Sequence, residues 1–218
     1  HNEAEATEQL VAQLLGGERI ALISDAGTPL LSDPGARLVR AAIHAGVRVT
    51  PIPGASALLS ALSVAGLSAE QFFYAGFLPS KAGARKAALT ALASIPTTLV
   101  FYEAPHRLLD TLGAMQEVWG PREAAVAREL TKLYEECVRG TFAQVLAHFN
   151  AHTPRGECVI VVAGAAPAAA LDDTAIDAAL NDAMARMSLK EAVVEVTKHA
   201  GRAKSEVYAR ALALKDNA

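Results

Sequence analysis

The sequence predicts an α/β fold, built as two α/β domains followed by a helical tail, and three observations carry that prediction. Short apolar runs end in glycine- and proline-rich loops and lead into helical patterns. The same alternation resumes beyond an aromatic cluster and Pro79. From the Ala- and Pro-rich stretch 164–173 onward only helical spacing remains. The expected divisions are 1–74, 75–165 and 166–218.

Glu3 to Leu15 has helical spacing, with Leu10, Val11, Leu14 and Leu15 on one side, and Gly16-Gly17 stops it. Ile20 to Ile23 reads as a buried strand, Leu38 to Ile43 as a helix stopped by Gly46, and Val47 to Ile52 as a second parallel strand. Between the first strand and its helix lies Ser24-Asp-Ala-Gly-Thr-Pro-Leu-Leu-Ser-Asp-Pro-Gly35. In open α/β sheets ligands collect at the carboxyl ends of strands, where glycine lets backbone approach closely, so this loop is the first candidate site. It carries two carboxylates, Asp25 and Asp33, and no cation, which disfavours a phosphate. Hydroxyls and positive charge suit it, and S-adenosylmethionine has both. The alternative is that Asp25 and Asp33 only form turns and cap the next helix.

Ser56 opens a helix from Ala57 to Ala65. The cluster Phe72-Phe-Tyr74 with Phe77 is expected to be the crossover between domains. Beyond it, strands are expected at Thr97 to Tyr102, Ala124 to Ala127, Tyr134 to Val138 and Glu157 to Ala163, with helices from Lys81 to Ala93, after Pro105, and from Phe142 to Phe149. These make a mixed sheet with helices on both faces. The tail reads as helices Thr174 to Met187, Leu189 to His199 and Ala203 to Leu214, with a Gly201 turn at helix-turn-helix spacing.

Composition excludes several classes. Of 218 residues, 52% are hydrophobic and 20% charged, which is globular. Apolar runs are too short to span a bilayer. Two distant cysteines, Cys137 and Cys158, fit thiols in a reducing cytoplasm. The six histidines are scattered, so no metal is expected, and dinucleotide, Walker and nucleophile-elbow fingerprints are missing. A net charge of −3 means that a nucleic acid could be held only by local patches. Lys81, Arg85 and Lys86 form one; Lys190, Lys198, Arg202 and Lys204 form another; the alternatives are a solvated helix face for the first and a helical hairpin that binds nothing for the second.

Asp25-Ala-Gly-Thr-Pro29, Ser32-Asp-Pro-Gly35, Pro51-Ile-Pro-Gly-Ala-Ser56, Gly76-Phe-Leu-Pro79, Phe101-Tyr-Glu-Ala-Pro-His-Arg107, Ala127-Arg-Glu-Leu-Thr-Lys132 and Arg139-Gly-Thr141 occur in order along the chain. Together they resemble the tetrapyrrole-methylase superfamily, and within it the branch that methylates the ribose 2′-oxygen of a cytidine in bacterial small-subunit ribosomal RNA. The resemblance implies S-adenosyl-L-methionine in a cleft between the two domains, touching Asp25, Ala26, Gly27, Thr28, Ser56, Ala57, Tyr102, Leu130 and Glu157. It also implies a homodimer, and the small ribosomal subunit or its RNA as partner. Family members carry an earlier strand-loop-helix-strand segment that nothing here matches, so the chain is expected to be truncated at its amino end. Candidates for activating a ribose hydroxyl or steadying its alkoxide are Glu103, Arg107, Glu129 and Lys132, with His106 and Arg128 beside them. Ion pairing within helical turns is the alternative for these. Competing functions are a small-molecule tetrapyrrole methylase and a catalytically silent ligand- or RNA-binding fragment.

Overall fold

The computed structural model of the chain describes residues 3–166 and 170–216; positions 167–169 of the expected linker lie outside them. The chain divides into two compact units, 1–165 and 166–218.

The first unit contains helices α1 (Glu3–Leu15), α2 (Ala36–His44), α3 (Ala57–Ala65), α4 (Ala82–Leu92), α5 (Leu108–Trp119) and α6 (Phe142–Ala151). Its one sheet is built from β1 (Phe72–Phe77), β2 (Thr98–Glu103), β3 (Glu123–Arg128), β4 (Glu136–Thr141) and β5 (Cys158–Val162). The order is β1-β2-β5-β3-β4. Only β1 and β2 are parallel; the other pairs are antiparallel, with Tyr102 opposite Val159, Glu103 opposite Cys158, and Arg128 opposite Cys158 on its other side.

Alternation along the strands divides the core. Leu99, Phe101, Val126, Ile160 and Val162 face one side and pack with Leu89, Leu112, Met115, Phe142 and Phe149 from α4, α5 and α6. Val100, Ala125, Ala127, Val159 and Val161 face the other, where Leu58, Ala61, Leu62 and Ala65 of α3 cover them. Small residues opposite α3 let the helix lie close. Burying Leu58 and Leu62 contributes about 1.5–3 kcal/mol each.

The mixed sheet with helices on both faces matches expectation, but it is one sheet. The expected strands Ile20 to Ile23 and Val47 to Ile52 have no ladder partner among the described residues. Ile23 is 84% and Ile52 79% exposed. An extended run becomes a strand only when its backbone groups pair and one face is buried, and two adjacent strands alone are marginal. The aromatic stretch read as a crossover is itself the edge strand β1. The strand expected at Tyr134 starts later, at Glu136, because Glu129 and Thr131 take left-handed φ angles of 48° and 66° and the Glu135 carboxylate accepts the Thr131 N–H at 2.6 Å. Residues 129–135 therefore form a loop.

Arg139-Gly-Thr141 does structural work at β4. The Arg139 guanidinium donates to the Val64 carbonyl at 2.8 and 2.5 Å, satisfying a C-terminal acceptor of α3. Thr141 caps α6 in a reciprocal box with Gln144.

The second unit holds α7 (Asp173–Met184), α8 (Leu189–Ala200) and α9 (Lys204–Asp216) around Ile176, Leu180, Val193, Val196 and Val207. Ser188 and Glu191 form a capping box, and Gly201 ends α8 at φ 61°. Arg210 holds Asp177 through two bonds, at 2.7 and 2.6 Å. Among the described residues no helix is long and apolar enough to cross a membrane.

Candidate active site

The carboxyl ends of β2 and β3 and the start of β5 lie side by side, which brings Tyr102 and Glu103, Arg128 to Lys132, and Glu157 to one end of the sheet. The loop 24–35 reaches the same end. Ser32 and Tyr74 share a hydrogen bond of 2.7 Å between their hydroxyls. The Thr28 hydroxyl donates to the Ala55 carbonyl at 3.1 Å, and a Cβ on Gly27 (φ 72°) would meet that oxygen at 3.3 Å. The two strand-end loops are thus joined at backbone distance, with Ser56 capping α3 beside them through Leu59 N.

The turn-and-cap alternative for the aspartates does not hold. Neither Asp25 nor Asp33 makes a side-chain hydrogen bond; the Ser24 hydroxyl donates to Ala26 and Gly27 instead, and the α2 N-cap is Gly35 with no side-chain cap. Asp25 is an exposed carboxylate with no side-chain partner among the described residues.

Tyrosines line the floor. Tyr74 and Tyr102 pack edge to face at 5.2 Å, and Phe77 meets Tyr102 at 5.8 Å. Burial, above all, pushes the Tyr102 phenol up, with Tyr74, Asp33 and Glu157 adding to it and a hydrogen bond from the Leu58 backbone opposing. Burial also pushes Tyr74 up. Both stay neutral near pH 7 and can donate or accept. Sequence reasoning missed Tyr74 and Ser32; the aromatic, strand-prone run Phe72–Phe77 was the available signal.

Glu103 is 1% exposed and fully engaged. It accepts from Thr111 Oγ1 at 2.6 Å and from Ala104 N at 2.9 Å, and pairs with Arg107 Nε at 3.2 Å. Arg107 in turn donates to the Leu78 carbonyl at 2.6 Å, while His106 is exposed. Glu129 pairs with Lys132 at 2.9 Å. A side chain on Gly156 would collide with the Glu129 carboxylate. Because Gly156 also sits at φ 72°, Gly156→Ala should cost about 1 kcal/mol or more and displace the Glu129–Lys132 pair. A thermal midpoint unchanged within error would refute that.

Arg128 points elsewhere, to Glu136 at 2.5 Å. Burial pushes the Glu136 carboxyl up, but hydrogen bonds from Arg128 and His148 outweigh it and hold it below its ordinary value. A depressed folded value gives stability that is complete above the ordinary carboxylate range and is lost as pH falls through the folded value. Glu136→Gln should therefore lose less stability than the parent between neutral pH and about pH 3 in urea titrations. Parallel pH profiles would contradict this.

The proposed RNA contacts separate by environment. Lys81 is exposed and unpaired, Lys86 is paired with Glu117 at 2.7 Å, and Arg85 is buried at 7% exposure, facing Asp110 at 3.8 Å. In the tail Lys190, Lys198 and Lys204 are exposed without ion pairs, whereas Arg202 is held by Asp173 at 2.5 Å and Glu206 at 3.5 Å. Cys158 is buried, its thiol pushed up to about 12 chiefly by desolvation.

A mixed sheet whose end gathers tyrosines, carboxylates and two linked glycine-rich loops defines an α/β protein with a candidate site at that end. Residues 1–146 match the Tetrapyrrole (Corrin/Porphyrin) Methylases, and the chain belongs to that family. Residues 170–215 match the RsmI C-terminal HTH domain. The chain is 50% identical over 218 residues to the ribosomal RNA small subunit methyltransferase I of Mesorhizobium japonicum, covering 99% of this chain and 74% of that one. It is 43% identical to the protein of that name from Pseudomonas aeruginosa, covering 97% of this chain and 77% of the other. Among solved structures it resembles the methyltransferase CobJ, with a TM-score of 0.57 at 20% identity over 75% of this chain and 72% of that one. It also resembles uroporphyrin-III-C-methyltransferase from Thermus thermophilus, with a TM-score of 0.51 at 21% identity over 73% and 70%. At such identities these two show the fold alone.

Proposed function

We propose that this chain is an S-adenosylmethionine-dependent methyltransferase acting on the ribose 2′-oxygen of a cytidine in small-subunit ribosomal RNA. The observation that carries the reading is the 50% identity, over 99% of the chain, to a ribosomal RNA small subunit methyltransferase I.

The residues present fit the cofactor. Unpaired Asp25 suits ribose hydroxyls or an ammonium, neutral Tyr74 and Tyr102 offer hydroxyls and ring faces, and no cation stands in the loop 24–35 to repel a sulfonium. Asp25, Ala26, Gly27, Thr28, Ser56, Ala57, Tyr102, Leu130 and Glu157 would hold it, at the sheet end that the loop 24–35 reaches. Bound there, S-adenosylmethionine supplies a methyl group activated by its sulfonium.

The chain must then present a ribose hydroxyl in line and manage its proton. Lys132, exposed at the surface and paired with Glu129, suits the steadying of a forming alkoxide, and Glu129 suits accepting the proton. Glu103 is a positioning residue, since its oxygens are occupied by Thr111, Ala104 and Arg107. Lys81, Lys86, Lys190, Lys198 and Lys204 are the phosphate contacts of this reading. Exposed Phe72, Phe73 and Phe77 on edge strand β1 support a homodimer in the cytoplasm. Sedimentation at micromolar concentration should give twice the chain mass, and monomer alone would reject the dimer.

The test of function is transfer of labelled methyl from S-adenosylmethionine to small ribosomal subunits. Label recovered as 2′-O-methylcytidine is expected. Label on a base, or none, would reject the reading.

A further inference from the structure

We infer that Arg37, Arg40 and Arg48, on α2 and the turn after it, form a phosphate-binding face for the RNA substrate. The inference rests on the reading of the chain as an RNA methyltransferase and adds a contact surface on a different element from the lysine patches.

From Pro34 to Ala69 the chain contains these three arginines and no Asp or Glu, although the protein as a whole has a net charge of −3. All three are exposed, and among the described residues none makes an ion pair or a side-chain hydrogen bond. Arg37, Arg40 and His44 follow i, i+3, i+7 spacing, so they share one face of α2, while Ala42 is buried on the opposite side. Glu5 and Glu8 of α1, the helix packed against α2, pair with none of them, nor does Glu18.

Stability of the helix does not account for this arrangement. Arg37 lies in the first turn of α2, where the macrodipole is positive and the turn holds no acidic residue, so its charge works against the helix. One unpaired guanidinium at the unfavourable end of the helix and two more beyond it, with no carboxylate over 36 positions of sequence, are arranged for an external anion. Their position selects which anion. The helix starts after Gly35, where the loop carrying Asp25 and Asp33 ends, so Arg37 stands beside the mouth at which a ribose must be presented, while Arg40 is in the next turn and Arg48 lies past the far end of the helix, along the path of a backbone leading away from that ribose. A polynucleotide backbone puts phosphates on both sides of that ribose. The loop itself repels phosphate, and the arginines beside it attract it, which directs the sugar inward and the backbone outward.

The test uses the full chain with Arg37, Arg40 and Arg48 all changed to Gln, and in parallel all changed to Lys. Binding to a small-subunit ribosomal RNA transcript is measured by anisotropy across a salt series. The Gln variant should bind about 10- to 100-fold more weakly at low salt, and its log–log salt slope should fall by about 2 to 3. The Lys variant should keep the parent slope. Cofactor affinity by calorimetry should stay at the parent value in both, and the thermal midpoint should not drop, because Arg37→Gln removes an unfavourable charge. An unchanged slope in the Gln variant, with methyl transfer intact in the parent, would overturn the inference alone. A reduced slope in the Gln variant of a parent chain that transfers no methyl would leave the phosphate face standing and remove the activity. A parent that binds no RNA would overturn both. Loss of binding to anionic lipid vesicles without any change toward RNA would also overturn it, in favour of a membrane surface.

Discussion

Glu103→Ala should lower the stability of the fold by about 3–5 kcal/mol, the largest effect expected of a charged residue in this chain. The carboxylate is 1% exposed at the end of β2 and holds together a backbone turn, the Thr111 hydroxyl of α5 and the Arg107 guanidinium. Removing it strands Arg107 and leaves a buried hydroxyl without an acceptor, and both groups then bear their desolvation cost unpaired. Arg107 also donates to Leu78, so the damage should spread to the segment joining β1 to α4. Glu103→Gln, which retains size and one acceptor, should cost less than half as much. Urea midpoints decide the matter, and a loss below about 1 kcal/mol for Glu103→Ala would show that the network carries no net stability.

Asp25→Ala should weaken S-adenosylmethionine binding by about 1–3 kcal/mol, roughly 5- to 150-fold, while leaving the thermal midpoint where it was. The two halves of that expectation come from the same observation. Asp25 is exposed and forms no hydrogen bond within the protein, so nothing in the fold depends on it. A carboxylate on a loop pinned by Thr28 to Ala55 is instead free to accept from a ligand. Calorimetry with unchanged affinity would remove Asp25 from the site, and a lowered midpoint would return it to a structural role.

The loops of the candidate site were legible in the residues. Glycine and proline marked the loops 24–35 and 53–56, and the absence of cations there pointed away from phosphate. Two helix boundaries were equally clear, the Ser56 cap and the Gly201 turn, because both act through local geometry. Periodicity also located β2, β3 and β5 to within a residue or two, because buried strands of a mixed sheet are continuously apolar.

Roles that depend on partners were not legible. Ile20 to Ile23 and Val47 to Ile52 have the composition of strands and no ladder, whereas Phe72–Phe77 gained one from β2. Composition states a preference, and pairing needs a neighbour supplied from elsewhere in the chain. Glu103 and Glu129 are alike in sequence, each a carboxylate after a strand with a cation three or four positions on. Packing buried the first against Thr111 and left the second beside Gly156 near the surface. Likewise Arg85 and Lys86 are adjacent cations, yet only Arg85 is turned between α4 and α5. The family and the glycine- and proline-rich loops of the candidate site could be read from the residues, because local backbone chemistry and charge need no distant contact. Tertiary structure alone decided which charges are spent within the protein and which remain for a substrate, because burial and pairing are set by residues far apart along the chain.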